Sequence, residues 1–173
     1  MTGTDDGNIV VWDISLIVDD NSEPEDRRAI KAVQLNNNVA INVLCLQDDM
    51  LVTGNQDGTV RFYDFQFRIK AWFENLDTKE ILSISFANEP PKPSTKFEEL
   101  GTAATDEVFE CPDFIIADRS SLVCLLESSL FEEIDPSKSK GEVIMRGIYS
   151  SINCIAVHPN QPILAIGGKS GFV

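Results

Sequence analysis

Thr53-Gly54-Asn55-Gln56-Asp57-Gly58-Thr59-Val60-Arg61-Phe62-Tyr63-Asp64 has a near copy earlier in the chain, Thr2-Gly3-Thr4-Asp5-Asp6-Gly7-Asn8-Ile9-Val10-Val11-Trp12-Asp13. The threonine, the glycine, the Asp-Gly pair and the closing aromatic-Asp pair coincide, with Gly3 and Gly54 51 residues apart. Ile116-Ala117-Asp118-Arg119-Ser120-Ser121-Leu122-Val123-Cys124-Leu125-Leu126-Glu127 keeps the skeleton with alanine for glycine, and Ile166-Gly167-Gly168-Lys169-Ser170-Gly171-Phe172-Val173 begins it again. Self-similarity at periods of this size marks a stacked repeat architecture. Within one unit, Asp57-Gly58 separates two β-rich runs, Met50–Thr53 and Thr59–Asp64. An Asp-Gly pair tolerates the positive backbone angles of a tight hairpin. Asp6 and Gly7 repeat that turn, and Trp12-Asp13 and Tyr63-Asp64 close the strand that follows.

Working outward, an apolar strand precedes each glycine motif: Ile41–Leu46, Ile81–Phe86 and Ile152–Val157. Strict alternation puts Ile41, Val43 and Cys45 on one face and Asn42, Leu44 and Leu46 on the other. The same rule groups Ile81 with Ser83 and Ser85, and Ile152 with Cys154 and Ala156. Neither face carries charge, as expected of a sheet buried on both sides between neighbouring sheets. Last strands are expected at Ile30–Leu35, Ile69–Leu76 and Val143–Tyr149. The fold expected is all-β: a partial, unclosed β-propeller of about three four-stranded antiparallel blades. Residues 1–36 form the end of a first blade, given its third and fourth strands. Residues 41–76 form a second blade, 81–149 a third, and 151–173 the start of a fourth, given three strands. Because closed rings hold about 4–8 blades, the chain reads as a fragment.

The net charge of −14, from 28 acidic and 14 basic residues, argues against phosphate backbones and anionic membranes as partners. No apolar run is long enough to cross a membrane, and no signal peptide is visible at Met1–Trp12. Cys45, Cys111, Cys124 and Cys154 form no Cys-x-x-Cys pair and only one histidine is present, so no metal site and no cofactor is expected.

Three long insertions hold much of the charge. Residues 14–28 join strands three and four of the first blade. Residues 89–112 join strands one and two of the third, and 128–142 join strands three and four of the same blade. Strand alternation puts all three on one rim of the ring. Their net charges are −3, −4 and −2, so together they hold 9 of the 14 net negative charges. Asp19 and Asp20, Glu98 and Glu99, and Glu132 and Glu133 are the candidate partner-binding acids. Two readings stand: a docking rim for a basic partner, or loops that are polar because they are solvated. The second insertion, with Pro90, Pro91, Pro93 and Pro112, is expected to be extended. Ser128–Ile134 is expected to form a short helix before Asp135-Pro136.

Other motifs point to chemistry less well. Gly168-Lys169-Ser170 resembles the end of a phosphate-binding loop, but Ile163 stands where its first glycine belongs and a strand follows. Thr53-x-Asn55-x-Asp57-Gly58 resembles a calcium loop, yet lacks the first aspartate and the terminal glutamate. His158, before Pro159, reads as a surface turn residue without a nucleophile beside it. The pair Asp48-Asp49 lies in a turn, whereas paired acid catalysis needs a cleft. Trp72 and Phe73 fall on an outer strand, either packed inward or forming a contact patch. No catalytic residue is assigned.

The aromatic-Asp closures mark a resemblance to the WD-repeat family along nearly the whole chain. Phe62-Tyr63-Asp64, then Ile69-Lys70-Ala71-Trp72-Phe73, then Ile81-Leu82-Ser83-Ile84-Ser85-Phe86, resemble the cilia- and flagella-associated WD-repeat proteins of the radial-spoke region. His158-Pro159-Asn160-Gln161-Pro162-Ile163-Leu164-Ala165-Ile166 is similar to their later repeats. That resemblance implies a non-catalytic axonemal scaffold that helps control ciliary beating. Its implied partners are other proteins: axonemal or radial-spoke components and members of a calmodulin-associated complex. Nucleic acid and membrane insertion are not expected. The alternative is a general cytoplasmic WD adaptor in a ubiquitin-ligase, trafficking or chromatin complex. The Gly-His pair that usually precedes strand one is absent, which puts the family's histidine–aspartate hydrogen-bond network in doubt.

Overall fold

The computed structural model describes residues 1–13, 29–74, 76–86, 111–126, 141–146 and 151–171. All regular structure among them is strand. A first sheet holds β1 (Thr2–Gly3), β2 (Asn8–Trp12) and β3 (Ala29–Gln34). A second holds β4 (Ile41–Gln47), β5 (Met50–Asn55), β6 (Val60–Tyr63) and β7 (Ile69–Phe73). A third holds β8 (Ile81–Phe86), β9 (Phe114–Asp118), β10 (Leu122–Leu126) and β11 (Glu142–Arg146), and a fourth holds β12 (Ile152–Val157) and β13 (Leu164–Gly168). Each is an antiparallel meander paired in chain order, so the architecture is a β-propeller left open. Two details differ from expectation. Thr2 and Gly3 pair with Val10 and Ile9, which gives the first blade a second strand as well. The third strand expected in the last blade falls beyond Gly171, outside the described residues.

Three apolar clusters lie one per seam between blades. Ile9 of the first blade packs with Ile41, Leu51 and Tyr63 of the second. Val52, Val60, Phe62 and Phe73 of the second meet Ile81, Phe114, Ile116 and Leu126 of the third. Ala117 and Val123 of the third meet Ile152 and Ile155 of the fourth. Neighbouring residues such as Leu51 and Val52, or Ile116 and Ala117, therefore enter opposite seams, as the two-residue period of a strand demands. The middle seam is the largest and is aromatic. Phe62 and Phe73 present edges to Phe114 with centroids 5.4 and 5.2 Å apart, a geometry worth about 0.5–1.5 kcal/mol per pair beyond area burial.

Simple alternation fails at one recurring place. In β4 the register runs Ile41↔Asn55 and then Val43↔Gly54, which makes Asn42 an extra residue. Leu82 and Asn153 are extra in the same way in β8 and β12. Such a bulge resets which face a side chain takes. The expected grouping of Ile41 with Val43 and Cys45 is therefore corrected: Ile41 joins the first seam, against which Leu44 packs, while Val43 and Cys45 pack on the middle seam. Ile152 likewise shares its seam with Ile155 rather than siding with Cys154. Ile81 shares its seam with Ile84 and Phe86 rather than siding with Ser83 and Ser85.

The repeated glycine answers that isoleucine. A Cβ built on Gly3 would lie 2.8 Å from Ile41 Cγ2, and one on Gly54 would lie 2.6 Å from Ile81 Cγ2. Each blade thus clears space on its second strand for the first side chain of the next. At the last seam Ala117 takes the glycine's place and is buried with Ile152.

Candidate functional site: the turn rim

The Asp6-Gly7 and Asp57-Gly58 segments, with Ser120-Ser121 and Ser170-Gly171, are the turns that follow the second strands, and all four have one geometry. Gly7, Gly58, Ser121 and Gly171 take positive φ of 83, 83, 63 and 78°. Their N–H groups donate to Thr4, Asn55, Asp118 and Gly168 carbonyls respectively. The aspartates Asp6 and Asp57 stay out of the left-handed region, so in those two turns the glycine supplies the conformation, as Ser121 does in the third blade. At Gly58 any side chain would also meet the Thr78 carbonyl, 2.4 Å from a built Cβ. Asp57 Oδ1 accepts from Thr59 N–H at 3.1 Å and Thr59 Oγ1–H at 2.7 Å. Asp6 accepts from the Thr4 hydroxyl, which holds its carboxyl below the usual range. These carboxylates are engaged in turn geometry, and the calcium-loop likeness around them is a hairpin.

Blade links lie against the turns. Gly7 O accepts from the N–H groups of Leu35 and Asn36 at 3.0 Å, and Thr4 O accepts from Ile41 N–H at 3.1 Å. Asn36, 1% exposed, is the hub of the rim. Its Nδ2–H donates to Asn55 Oδ1 at 2.7 Å, and Asn55 Nδ2–H donates to Thr59 Oγ1 at 2.9 Å. Asn36 Oδ1 accepts from the Arg61 guanidinium and, at 3.5 Å, from the Tyr63 hydroxyl. Burial raises the Tyr63 phenol against the opposing pull of Arg61. An amide network thus ties the blade link to the turn, in a stretch where the sequence has no Gly-His pair. Sequence reading did not single out Asn36; the available signal was the Asn36-Asn37-Asn38 run just ahead of strand one.

The aromatic-Asp pairs diverge between blades. Trp12 Nε1–H donates to Thr2 Oγ1 at 3.0 Å, and Asp13 follows at the exposed end of β2. In the second blade the aromatic is Tyr63, which turns to Asn36, so the buried Thr53 hydroxyl lacks the N–H its counterpart receives. Asp64 organises the turn into β7. Its Oδ1 accepts from Gln66 and Arg68 N–H at 2.9 Å, and Arg68 Nε–H donates to Oδ2 at 2.8 Å. Burial would raise this carboxyl, but those donors and the arginine charge hold it below the ordinary value.

Asp118, fully buried, does similar work in the third blade, accepting from Lys79, Ser120 and Leu122 N–H groups at 2.8, 2.8 and 3.0 Å. Asp19, Asp20, Glu98, Glu99, Glu132 and Glu133 lie outside the described residues, as does the helix expected at Ser128–Ile134. Glu142, taken with the third insertion, begins β11. Trp72 is half-buried and Phe73 is in the middle seam, which decides for inward packing of the latter. Among the described residues no group of three or more His, Cys, Asp or Glu side chains has the arrangement of a metal site. His158 Nδ1 accepts from Asn160 N–H at 3.1 Å within its turn. Burial pushes the Cys45 and Cys124 thiols up to about 11 and Cys111 higher still, the behaviour of core thiols rather than nucleophiles. Lys169 follows a strand and donates its N–H to Ser151 O, so the phosphate-loop likeness there is a β-turn. The rim is a rigid set of loops on stacked sheets, suited to presenting side chains to a macromolecule.

Residues 35–64 match the family model "WD domain, G-beta repeat". The chain is 40% identical to a protein named cilia- and flagella-associated protein 251 from Tetrahymena thermophila, over 100% of this chain and 19% of the relative. It is 34% identical to the protein of that name from Chlamydomonas reinhardtii, over 99% of this chain and 21% of the relative. It therefore spans about a fifth of the length of these two relatives. Among solved structures, the WD40 β-propeller domain of Doa1 superimposes with a TM-score of 0.62 over 98% of this chain and 43% of that one, at 12% identity, which speaks to fold alone. The chain is a stretch of WD-repeat β-propeller, similar along its whole length to cilia- and flagella-associated proteins.

Proposed function

We propose that this chain is part of a non-catalytic protein-interaction scaffold of the cilium, associated with radial spokes and acting in the regulation of ciliary beating. The observation that carries the reading is similarity over the full chain to proteins named for cilia and flagella in a ciliate and an alga. The turn rim supports it: its polar side chains are committed to backbone and to each other, a rigid surface rather than a reactive one. Partners on this reading are axonemal proteins, including members of a calmodulin-associated complex, and no cofactor takes part. The rim bearing the insertions 14–28, 89–112 and 128–142 is proposed to dock a basic protein surface, since those segments hold 9 of the 14 net negative charges. Tagging the full-length protein in a ciliated cell tests the location: signal along the axoneme is expected, and its absence there overturns the reading. Proximity labelling in the same cells should recover spoke components. Reversing the acids of 89–112 should release at least one of them, and retention of every partner would remove the acidic rim from the proposal.

A further inference from the structure

The outer strands β3, β7 and β11 are sheet edges, each paired with a neighbouring strand on one side only. An open edge can add a further strand, and lysine along it is a usual guard against that. β3 and β7 carry the guard, Lys31 and Lys70. β11, Glu142-Val143-Ile144-Met145-Arg146, has none. Instead Val143 and Ile144 stand side by side, 38% and 48% exposed. The register steps from Val123↔Met145 to Cys124↔Val143, so Ile144 is an extra residue without a partner on β10, and simple alternation lapses there. The same step leaves Ile30 extra in β3 and Lys70 extra in β7. The bulge is therefore common to all three edges, and the missing lysine sets β11 apart.

The charges of β11 point to what covers it. Glu142 and Arg146 lie at its two ends, both exposed, and neither is ion-paired with another described residue. Each stands two residues from Ile144. Laid antiparallel on a second β11, about a two-fold axis through Ile144, the strand sets Glu142 opposite Arg146 of the second copy and Arg146 opposite Glu142 of that copy. Val143 then faces Met145, and Ile144 faces its own counterpart. Both ends become attractive cross-strand pairs, and the edge is self-complementary, as a two-fold interface requires. Parallel pairing in register would set like charge on like charge. The chain's net charge of −14 opposes general association of two copies, so opposite charges at the contact itself are what favour this one.

From this edge we infer that β11 pairs antiparallel with β11 of a second copy, forming a two-fold dimer joined through the third blades. The insertion rim of one copy then lies beside the turn rim of the other. A single shared strand pair is a small interface, so the dimer is a reversible one. The inference rests on neither the acidic insertions nor a ciliary location. Sedimentation velocity of the full-length protein over a concentration series tests it. The wild type should pass from monomer to dimer as concentration rises, and less readily as salt rises. Glu142→Arg turns both end pairs into arginine–arginine contacts, and Arg146→Glu turns both into glutamate–glutamate contacts. Each should weaken dimerisation at least about tenfold. An equimolar mixture of the two variants should recover it, because every arginine of one then faces a glutamate of the other, and so should Glu142→Arg/Arg146→Glu. Both positions are exposed, so the variants should fold, and unchanged circular dichroism checks this. A wild type that stays monomeric, single variants that associate as tightly as the wild type, or a mixture that stays monomeric overturns the inference.

Discussion

Gly54→Ala isolates how one blade holds the next. Gly54 is not at positive φ, so alanine is free of backbone strain there and the effect is steric. The new methyl would stand 2.6 Å from Ile81 Cγ2, and 3.1 Å from both Ile81 Cβ and Ile84 Cδ1. Carbon atoms prefer about 3.5–4.0 Å, so β8 must retreat by roughly 1 Å or Ile81 must leave its rotamer. Overpacking of this kind costs about 1–3 kcal/mol. Ile81→Ala alone, which empties a fully buried site, costs about 2–5 kcal/mol. Combined, the added methyl occupies space that Cγ2 vacated, so the double variant should be more stable than the sum of the singles by at least about 1 kcal/mol. Urea unfolding followed by tryptophan fluorescence reads all four proteins, provided the slopes agree. A Gly54→Ala effect within about 0.5 kcal/mol of zero, or strict additivity with Ile81→Ala, would refute the seating of isoleucine over glycine.

Three further outcomes follow from the geometry. Asn36→Leu should destabilise by about 1–3 kcal/mol, because Asn55 Oδ1 and the Arg61 guanidinium lose their buried partner; urea midpoints decide, and an unchanged midpoint would count against the amide network. Asp64, with its folded pKa below the ordinary 3.8, adds stability that is present above about 3.8 and lost as pH falls through the folded value. Asp64→Asn should therefore narrow the difference in urea midpoint between pH 6 and pH 3 relative to wild type, and an equal difference would exclude the role. Iodoacetamide at neutral pH, followed by mass spectrometry, should label the exposed Cys154 well before Cys45, Cys111 and Cys124; equal rates at Cys124 would contradict the packing of the middle seam.

Much of the architecture was legible because a hairpin turn has a chemical signature. Asp57-Gly58 and its copies placed the second and third strands, and charge-free runs such as Ile81–Phe86 placed the first. Two features were not legible. The bulges at Asn42, Leu82 and Asn153 arise from how a strand leaves the blade link, which no alternation rule contains, so Ile41 and Ile152 were given the wrong companions. The two-residue strand at Thr2–Gly3 is too short to show a pattern of its own. At the turn rim, the glycines and aspartates announced themselves by repetition, whereas Asn36 acts through contacts reaching 19 to 27 residues along the chain and occurs once.

Radial stacking is tested most directly at the amides of Ile155 and Val157. On β12 these N–H groups leave their own sheet and donate to Ser85 and Ser83 of the preceding blade: Ile155 to Ser83 Oγ at 3.1 Å and Val157 to Ser85 Oγ at 3.0 Å, each across 72 residues of chain. Hydrogen exchange resolved by residue should find both amides protected, and Ser83→Ala/Ser85→Ala should speed exchange at both while the β9–β10 amides keep their rates. Rapid exchange at Ile155 and Val157 in the wild type, or rates the double substitution does not change, would mean that the sheets do not stack as described.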